Sequence, residues 1–249
     1  MLGAMNLDLS NFDAAIIDLD GTMVDTLGDF VAALNHMLDD LALSRVDAST
    51  IATMVGKGSE HLIHSVLRHV RANARADADV RANARADADV RSVPESDDAL
   101  YAQAWDRYQH HYLAVNGLHS AVYPGVAQGL AALRERGLRL ACLTNKPTAF
   151  ALPLLAAKGL DGFFEQVFGG DAFERKKPDP LPLVKTCEAL GSRPARTLMV
   201  GDSSNDARAA RAAGCPVVLV SYGYNHGEPV RGVDADGVVD SLAELGAPA

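Results

Sequence analysis

Cysteine is scarce in this chain of 249 residues: only three occur, an odd number at wide and irregular spacing. That pattern excludes a disulfide framework and a cysteine zinc site. Cys142 lies inside the apolar run LRLACLTN and Cys215 stands before Pro216, so both read as small buried thiols. Basic residues are also short, 23 against 32 acids for a formal net charge of −9. This is the wrong sign for gripping phosphate backbones over a broad surface, and nucleic acid is not an expected partner. No apolar run approaches the roughly 18 residues that span a bilayer. The start MLGAMNLDLSNFD has no basic stretch followed by an apolar one. The expectation is a cytoplasmic protein with no membrane partner. Neither GxxxxGK[ST] nor GxGxxG is present, so a nucleotide-cradling loop lacks its parts.

What is there is ordinary globular material: 48% hydrophobic, 22% charged, with a mean hydropathy of +0.01. The length corresponds to roughly 1.7 average domains, enough for a core that needs no covalent staple. Four apolar, β-branched-rich runs read as buried parallel strands: AAIIDLD from Ala14, LRLACLTN from Leu138, TLMVGD from Thr197 and PVVLVSYG from Pro216. VAQGLAALRERGLR after Gly125 reads as a helix, and DARAARAAG as a short one closed by Gly214. The alternation predicts an α/β fold, a doubly wound and mainly parallel Rossmann-like sheet.

The first and second strand runs stand too far apart for one crossover. From Leu27 to Ser120 the patterns are helical, as in FVAALNHMLDDLAL and LIHSVLRHV, and the chain re-enters the sheet at the turn Tyr123 to Gly125. The expected division is a catalytic core of residues 1–26 and 121–249 with an inserted helical unit, 27–120. Within the insert, RANARADADV from Arg71 is repeated letter for letter from Arg81. Acid-first pairs Asp77–Arg81 and Asp87–Arg91 support a helix. Ten residues rotate a helix by about 280° beyond whole turns, so the copies cannot share a buried face and a solvated helix or loop is expected over 71–90.

Three strand runs end in polar residues, and ligands of open α/β sheets bind at strand carboxyl ends. The first ends Asp18-Leu19-Asp20-Gly21-Thr22, two carboxylates two residues apart before a turn-forming glycine. A strand-to-turn cap would account for this motif taken alone. The second ends Thr144-Asn145-Lys146, a hydroxyl and an amide able to donate to anionic oxygens, and the loop ERKKPDP brings Lys176 and Lys177 before Pro178. The last runs Gly201-Asp202-Ser203-Ser204-Asn205-Asp206, with two carboxylates at the start of a helix, where Asp and Ser also serve as caps. Acids gathered this way are most easily understood around a hard cation, and retained waters with oxygen ligands suit Mg²⁺. Such ligands with hydroxyl and cationic donors describe a phosphate-handling site, and a carboxylate nucleophile is the option left.

These four segments, in this order, resemble the haloacid dehalogenase superfamily, whose helical cap is inserted soon after the first motif. The resemblance spans the chain except for the repeat. It implies that Asp18 attacks phosphorus and that Asp20 protonates the leaving alkoxide and then deprotonates water. It further implies that Asp18, the Asp20 carbonyl, Asp202 and Asp206 hold Mg²⁺. Thr144 and Lys177 would meet the phosphoryl oxygens, with Asn145 helping to orient them. Lys177 is chosen over Lys176 and Lys146 because it directly precedes the proline. Dehalogenases expel halide, which needs no proton, and typically lack the second aspartate, so a phosphatase or phosphomutase is favoured.

Within the superfamily, Asp20-Gly21-Thr22-Met23-Val24-Asp25-Thr26, Val55-Gly56-Lys57-Gly58 and Tyr222-Gly223-Tyr224-Asn225-His226-Gly227-Glu228-Pro229 resemble the phosphoglycolate phosphatases. That implies a small phosphorylated metabolite bearing a carboxylate, and Lys57 is the expected cap cation reading it. Other small phosphate esters, a sugar phosphomutase and a receiver-like phosphoprotein remain alternatives.

Overall fold

A computed structural model of the chain describes residues 8–84 and 97–246. The first strand, β1 (Ala14–Ile17), is buried on every residue and leads into a short β2 (Val24–Asp25). Four helices follow in one run: α1 (Leu27–Asp40), α2 (Ala48–Ala52), α3 (Ser59–Ala84) and α4 (Asp97–Val115). The chain returns through β3 (Ala121–Val122), α5 (Val126–Glu135), β4 (Arg139–Leu143), α6 (Thr148–Ala157) and β5 (Gln166–Phe168). It ends with α7 (Leu181–Ala189), β6 (Thr197–Gly201), α8 (Ser204–Ala213), β7 (Val217–Val220) and β8 (Gly237–Val239).

The large sheet has six strands in the order β5-β4-β1-β6-β7-β8, every neighbouring pair parallel. The chain winds outward from β1 in one direction and then restarts on the other side at β6, which puts the topological switch between these two strands. Their register sets Ile17 level with Val200, and on the opposite side level with Cys142. Asp18, Thr144 and Asp202 therefore leave the sheet at its carboxyl end.

Both faces of the sheet are covered, which is why its strands are apolar throughout. Ala15 and Ile17 pack with Leu130, Leu133 and Leu154 of α5 and α6, while Ala14 and Ile16 pack with Leu183, Cys187 and Ala210 of α7 and α8. This is the period of two expected of a strand. Helix α8 starts where the sequence places it: Ser203 and Asp206 form a reciprocal capping box, and Gly214 closes it in the left-handed region at φ 81°. All three cysteines are free and buried.

The helices α1 to α4 enclose their own core. Phe30, Leu34, Met37 and Leu38 of α1 recur at helical spacing and meet Ile63 and Val66 of α3 and Tyr108 and Tyr112 of α4. The two connections to this unit run side by side as an antiparallel ribbon, Val24 opposite Val122. Asp29, fully buried at the start of α1, accepts from the backbone N–H groups of Gly117 at 2.8 Å and His119 at 2.7 Å, and so ties the outgoing connection to the returning one.

Helix α3 continues through the first copy of the repeat, where residues 72–76 are exposed. The remainder of the second copy, from residue 85, lies outside the described residues. Among the described residues no helix is long and apolar enough to cross a membrane.

Candidate active site

Asp18 continues the register of β1, its N–H donating to Val200 O at 2.9 Å, before the chain turns at Gly21. Gly21 has φ 81°, and a β-carbon there would lie 2.1 Å from an Asp202 carboxylate oxygen. Only glycine lets the first motif and the fourth approach this closely. Carboxylate oxygens of Asp18, Asp202 and Asp206 lie within 4.8 Å of one another, all three residues buried.

One cation stands among them. Lys177 Nζ lies 2.9 Å from Asp18 Oδ1 and 2.7 Å from Asp206 Oδ1, and donates to Leu143 O at 2.9 Å. Asp18 Oδ1 is close enough for an ion pair but accepts no well-directed hydrogen bond. Asp206 is satisfied: its Oδ2 accepts from the N–H groups of Asp202 and Ser203 and from the Ser203 hydroxyl. Burial acts to raise the Asp206 carboxyl, but Lys177 and these donors outweigh it and hold the group below the usual range. Burial pushes the Asp18 carboxyl up to about 7, with Lys177 opposing and Asp206 and Asp20 reinforcing. Burial, then Asp206 and Asp18, raise Asp202 well above the usual range. Burial alone would lower Lys177, yet Asp18 and Asp206 keep its ammonium above the ordinary lysine range.

Three buried carboxylates against one ammonium leave negative charge uncompensated, and Asp18 keeps a buried lone pair undirected. A hard, oxygen-only donor set of this kind fits a divalent cation.

Asp20 is held differently. Lys146, 3% exposed, donates to Asp20 Oδ1 at 2.9 Å and to the hydroxyl oxygen of Tyr112, and lies 4.6 Å from the ring centres of both Phe30 and Tyr112. Sequence reasoning passed over this lysine in favour of Lys177. Its position beside Asn145 was visible, but nothing in the chain's order shows that its side chain turns toward Asp20, nor that Tyr112, far along the chain, meets it.

Thr144 lines the pocket, and its hydroxyl oxygen accepts from Lys146 N–H at 3.1 Å, which leaves the hydroxyl proton for a ligand. Asn145 departs from expectation. Its amide nitrogen donates to Lys177 O at 2.9 Å and Gly56 O at 3.2 Å, and its oxygen accepts from Lys177 N–H at 3.0 Å. With both amide protons engaged, Asn145 braces Lys177 and the Gly56 loop where the sequence suggests a donor to phosphoryl oxygens. Lys57, the expected cap cation, is exposed, and its neighbours Gly56 and Gly58 line the pocket. In this glycine-rich loop it is the backbone that turns inward.

The pocket lies between the sheet's carboxyl end and the helical unit. Phe30, Val55, Ser59 and Leu62 form its roof above Asp18, Asp20 and Thr144, and its cavity is about 20 Å³. Asn205 Nδ2 donates to Gly56 O at 3.1 Å, and Lys176 pairs with Glu60 at 2.6 Å, so the roof is fastened at its rim.

The profile of haloacid dehalogenase-like hydrolases matches residues 12–214. The chain belongs to the haloacid dehalogenase-like hydrolases. A Thiobacillus denitrificans protein named phosphoglycolate phosphatase is 44% identical over 231 residues, covering 93% of this chain and 92% of the relative. A plasmid-encoded phosphoglycolate phosphatase of Cupriavidus necator is 42% identical over 232 residues, covering 93% and 90%. Among solved structures, one from Haemophilus somnus described as a predicted phosphoglycolate phosphatase superposes with a TM-score of 0.83 at 31% identity, covering 94% of this chain and 96% of that one. Membership of this hydrolase family sets aside the receiver-like signalling module.

Proposed function

We propose that this haloacid dehalogenase-like hydrolase is a Mg²⁺-dependent phosphatase that converts 2-phosphoglycolate to glycolate and phosphate through an aspartyl-phosphate on Asp18. The observation that carries the reading is the buried Asp18, set beside Lys177 at the end of β1, with a second carboxylate, Asp20, two residues on and oriented by its own lysine. The names of the relatives supply the substrate.

In the first step an Asp18 oxygen attacks phosphorus while Asp20, protonated, gives its proton to the departing alkoxide. In the second, Asp20 takes a proton from water, the water oxygen attacks phosphorus, and the Asp18 carboxylate is released. Lys177 and the Thr144 hydroxyl face the phosphoryl oxygens, where charge is greatest. Asp18, Asp202, Asp206 and the Asp20 carbonyl are the proposed Mg²⁺ ligands. The bound cation offsets charge on the transferring group. Residues 1–26 and 121–249 form the catalytic core in this reading, and 27–120 a cap that shuts water out and selects the leaving group. The small cavity favours a small leaving group over a sugar.

The test is phosphate release across 2-phosphoglycolate, β-glucose 1-phosphate and nitrophenyl phosphate, with Mg²⁺ and with EDTA. Mg²⁺-dependent turnover with the highest kcat/KM for 2-phosphoglycolate is expected. A higher kcat/KM for the sugar phosphate contradicts the substrate, and turnover undiminished by EDTA contradicts the metal.

A further inference from the structure

We propose that Lys146 is the residue that recognises the carboxylate of the leaving group, an assignment that rests on the substrate reading above. A phosphorylated hydroxy acid brings two anionic ends into one enclosed pocket. At the phosphoryl end stands Lys177, held between Asp18 and Asp206. The far end meets a roof of Phe30, Val55 and Leu62 in which the Ser59 hydroxyl and the Gly56 and Gly58 backbone are the polar groups, so that no charge in the roof itself would balance a carboxylate. Among the described residues lining this pocket Lys146 is the cationic one, and Lys57 is exposed and not part of the lining.

The ammonium has the capacity for it. It carries three N–H donors, of which Asp20 and Tyr112 each take one. The third is left for a ligand. The rings of Phe30 and Tyr112, each centred 4.6 Å away, make cation–π contacts with the ammonium.

The chemistry of the substrate makes the position productive. In 2-phosphoglycolate one methylene separates the carboxylate carbon from the ester oxygen. An ammonium that holds both that carboxylate and Asp20 therefore sets the ester oxygen within reach of the acid that must protonate it. Phe30 and Tyr112 belong to α1 and α4, while Lys146 and Asp20 belong to the sheet domain. The carboxylate subsite is thus complete only when the helical unit packs over the sheet, and selection of the leaving group is coupled to closure.

Two substrates with similar alkoxides separate this role from simple support of Asp20: 2-phosphoglycolate and ethyl phosphate, which lacks the carboxylate. Loss of support for Asp20 slows both alike, whereas loss of the carboxylate partner slows the first alone. In Lys146→Met the ratio of kcat/KM for 2-phosphoglycolate over ethyl phosphate is expected to fall by about 10- to 100-fold, the range for a hydrogen bond to a charged group. An unchanged ratio, with both substrates slowed equally, overturns the proposal and leaves Lys146 as a positioning residue for Asp20. Should the variant not fold, the wild-type enzyme answers with 2-phosphoglycolamide, the neutral isostere. The amide is expected to be hydrolysed as poorly as ethyl phosphate, and an amide as good as the acid overturns the assignment. A wild-type enzyme that turns over ethyl phosphate as well as 2-phosphoglycolate overturns the substrate reading itself, and this inference with it.

Discussion

The backbone N–H of Tyr224 donates to Asp202 Oδ2 at 2.6 Å, so a residue of the loop after β7 fixes one carboxylate of the acidic cluster. The side chain of the same residue reaches the ribbon that leads to the helical unit. Its hydroxyl donates to Asp25 and accepts from the N–H groups of Thr26 and Leu27, each at 3.0 Å. One tyrosine thus links the fourth motif to the root of α1.

Removing that hydroxyl is expected to loosen the root without touching the acids. Tyr224→Phe leaves the Thr26 N–H short of an acceptor and takes one of two from the Leu27 N–H, which also donates to Asp25 Oδ1 at 3.2 Å, at a cost of about 1–3 kcal/mol. Urea unfolding measures the loss. Stability equal to wild type would contradict the linkage.

At the proposed metal site a cation and protons would compete for Asp18 and Asp202. Both carboxyls are raised in the folded, metal-free protein, so each holds a proton at pH values where an exposed acid would be ionised. A cation must displace those protons, and its affinity falls as pH drops through the raised values. Mg²⁺ added to EDTA-treated protein is expected to raise Tm, and to raise it more at about pH 8 than at about pH 6. No shift, or a larger one at the lower pH, would argue against the site. The raised values also set the sign for stability: charging Asp18 and Asp202 opposes folding, so the metal-free protein gains nothing from them as pH rises.

Asp20 matters in proportion to how badly the leaving group needs a proton. Asp20→Ala is expected to slow alkyl phosphates by about 10²- to 10⁴-fold and nitrophenyl phosphate far less, because a nitrophenolate leaves unprotonated. kcat/KM on both esters, which runs only as far as departure of the leaving group and so leaves out the shared hydrolysis step, checks this. Equal losses in kcat/KM would remove Asp20 from protonation of the leaving group.

The central strands β1, β4, β6 and β7 are legible in the sequence because burial on both faces demands unbroken apolar runs. Strands β5 and β8 are not. Each is three residues at a sheet edge, only partly buried, and carries Gln166 or Gly237 where the pattern would need a β-branched residue. The short ribbon of β2 and β3 is hidden for the same reason. The acids Asp18, Asp20, Asp202 and Asp206 stand out because strand ends collect them. Side-chain placement is what linear order conceals: Lys146 turns to Asp20, Asn145 spends its amide on Lys177 and Gly56, and Lys57 lies exposed. Those choices are made by contacts between residues far apart in the chain, above all with Tyr112 and the Gly56 loop.

Asp18 is the proposed nucleophile, and covalent capture tests that role most directly. The protein is mixed with 2-phosphoglycolate and Mg²⁺, quenched in acid during turnover, digested and mapped by mass spectrometry. Phosphate is expected on Asp18 alone and absent from Asp18→Asn, whose turnover falls to background while its Tm in EDTA does not drop, since a buried charge has been removed. Phosphate on another residue, or substantial turnover by Asp18→Asn, would contradict the mechanism.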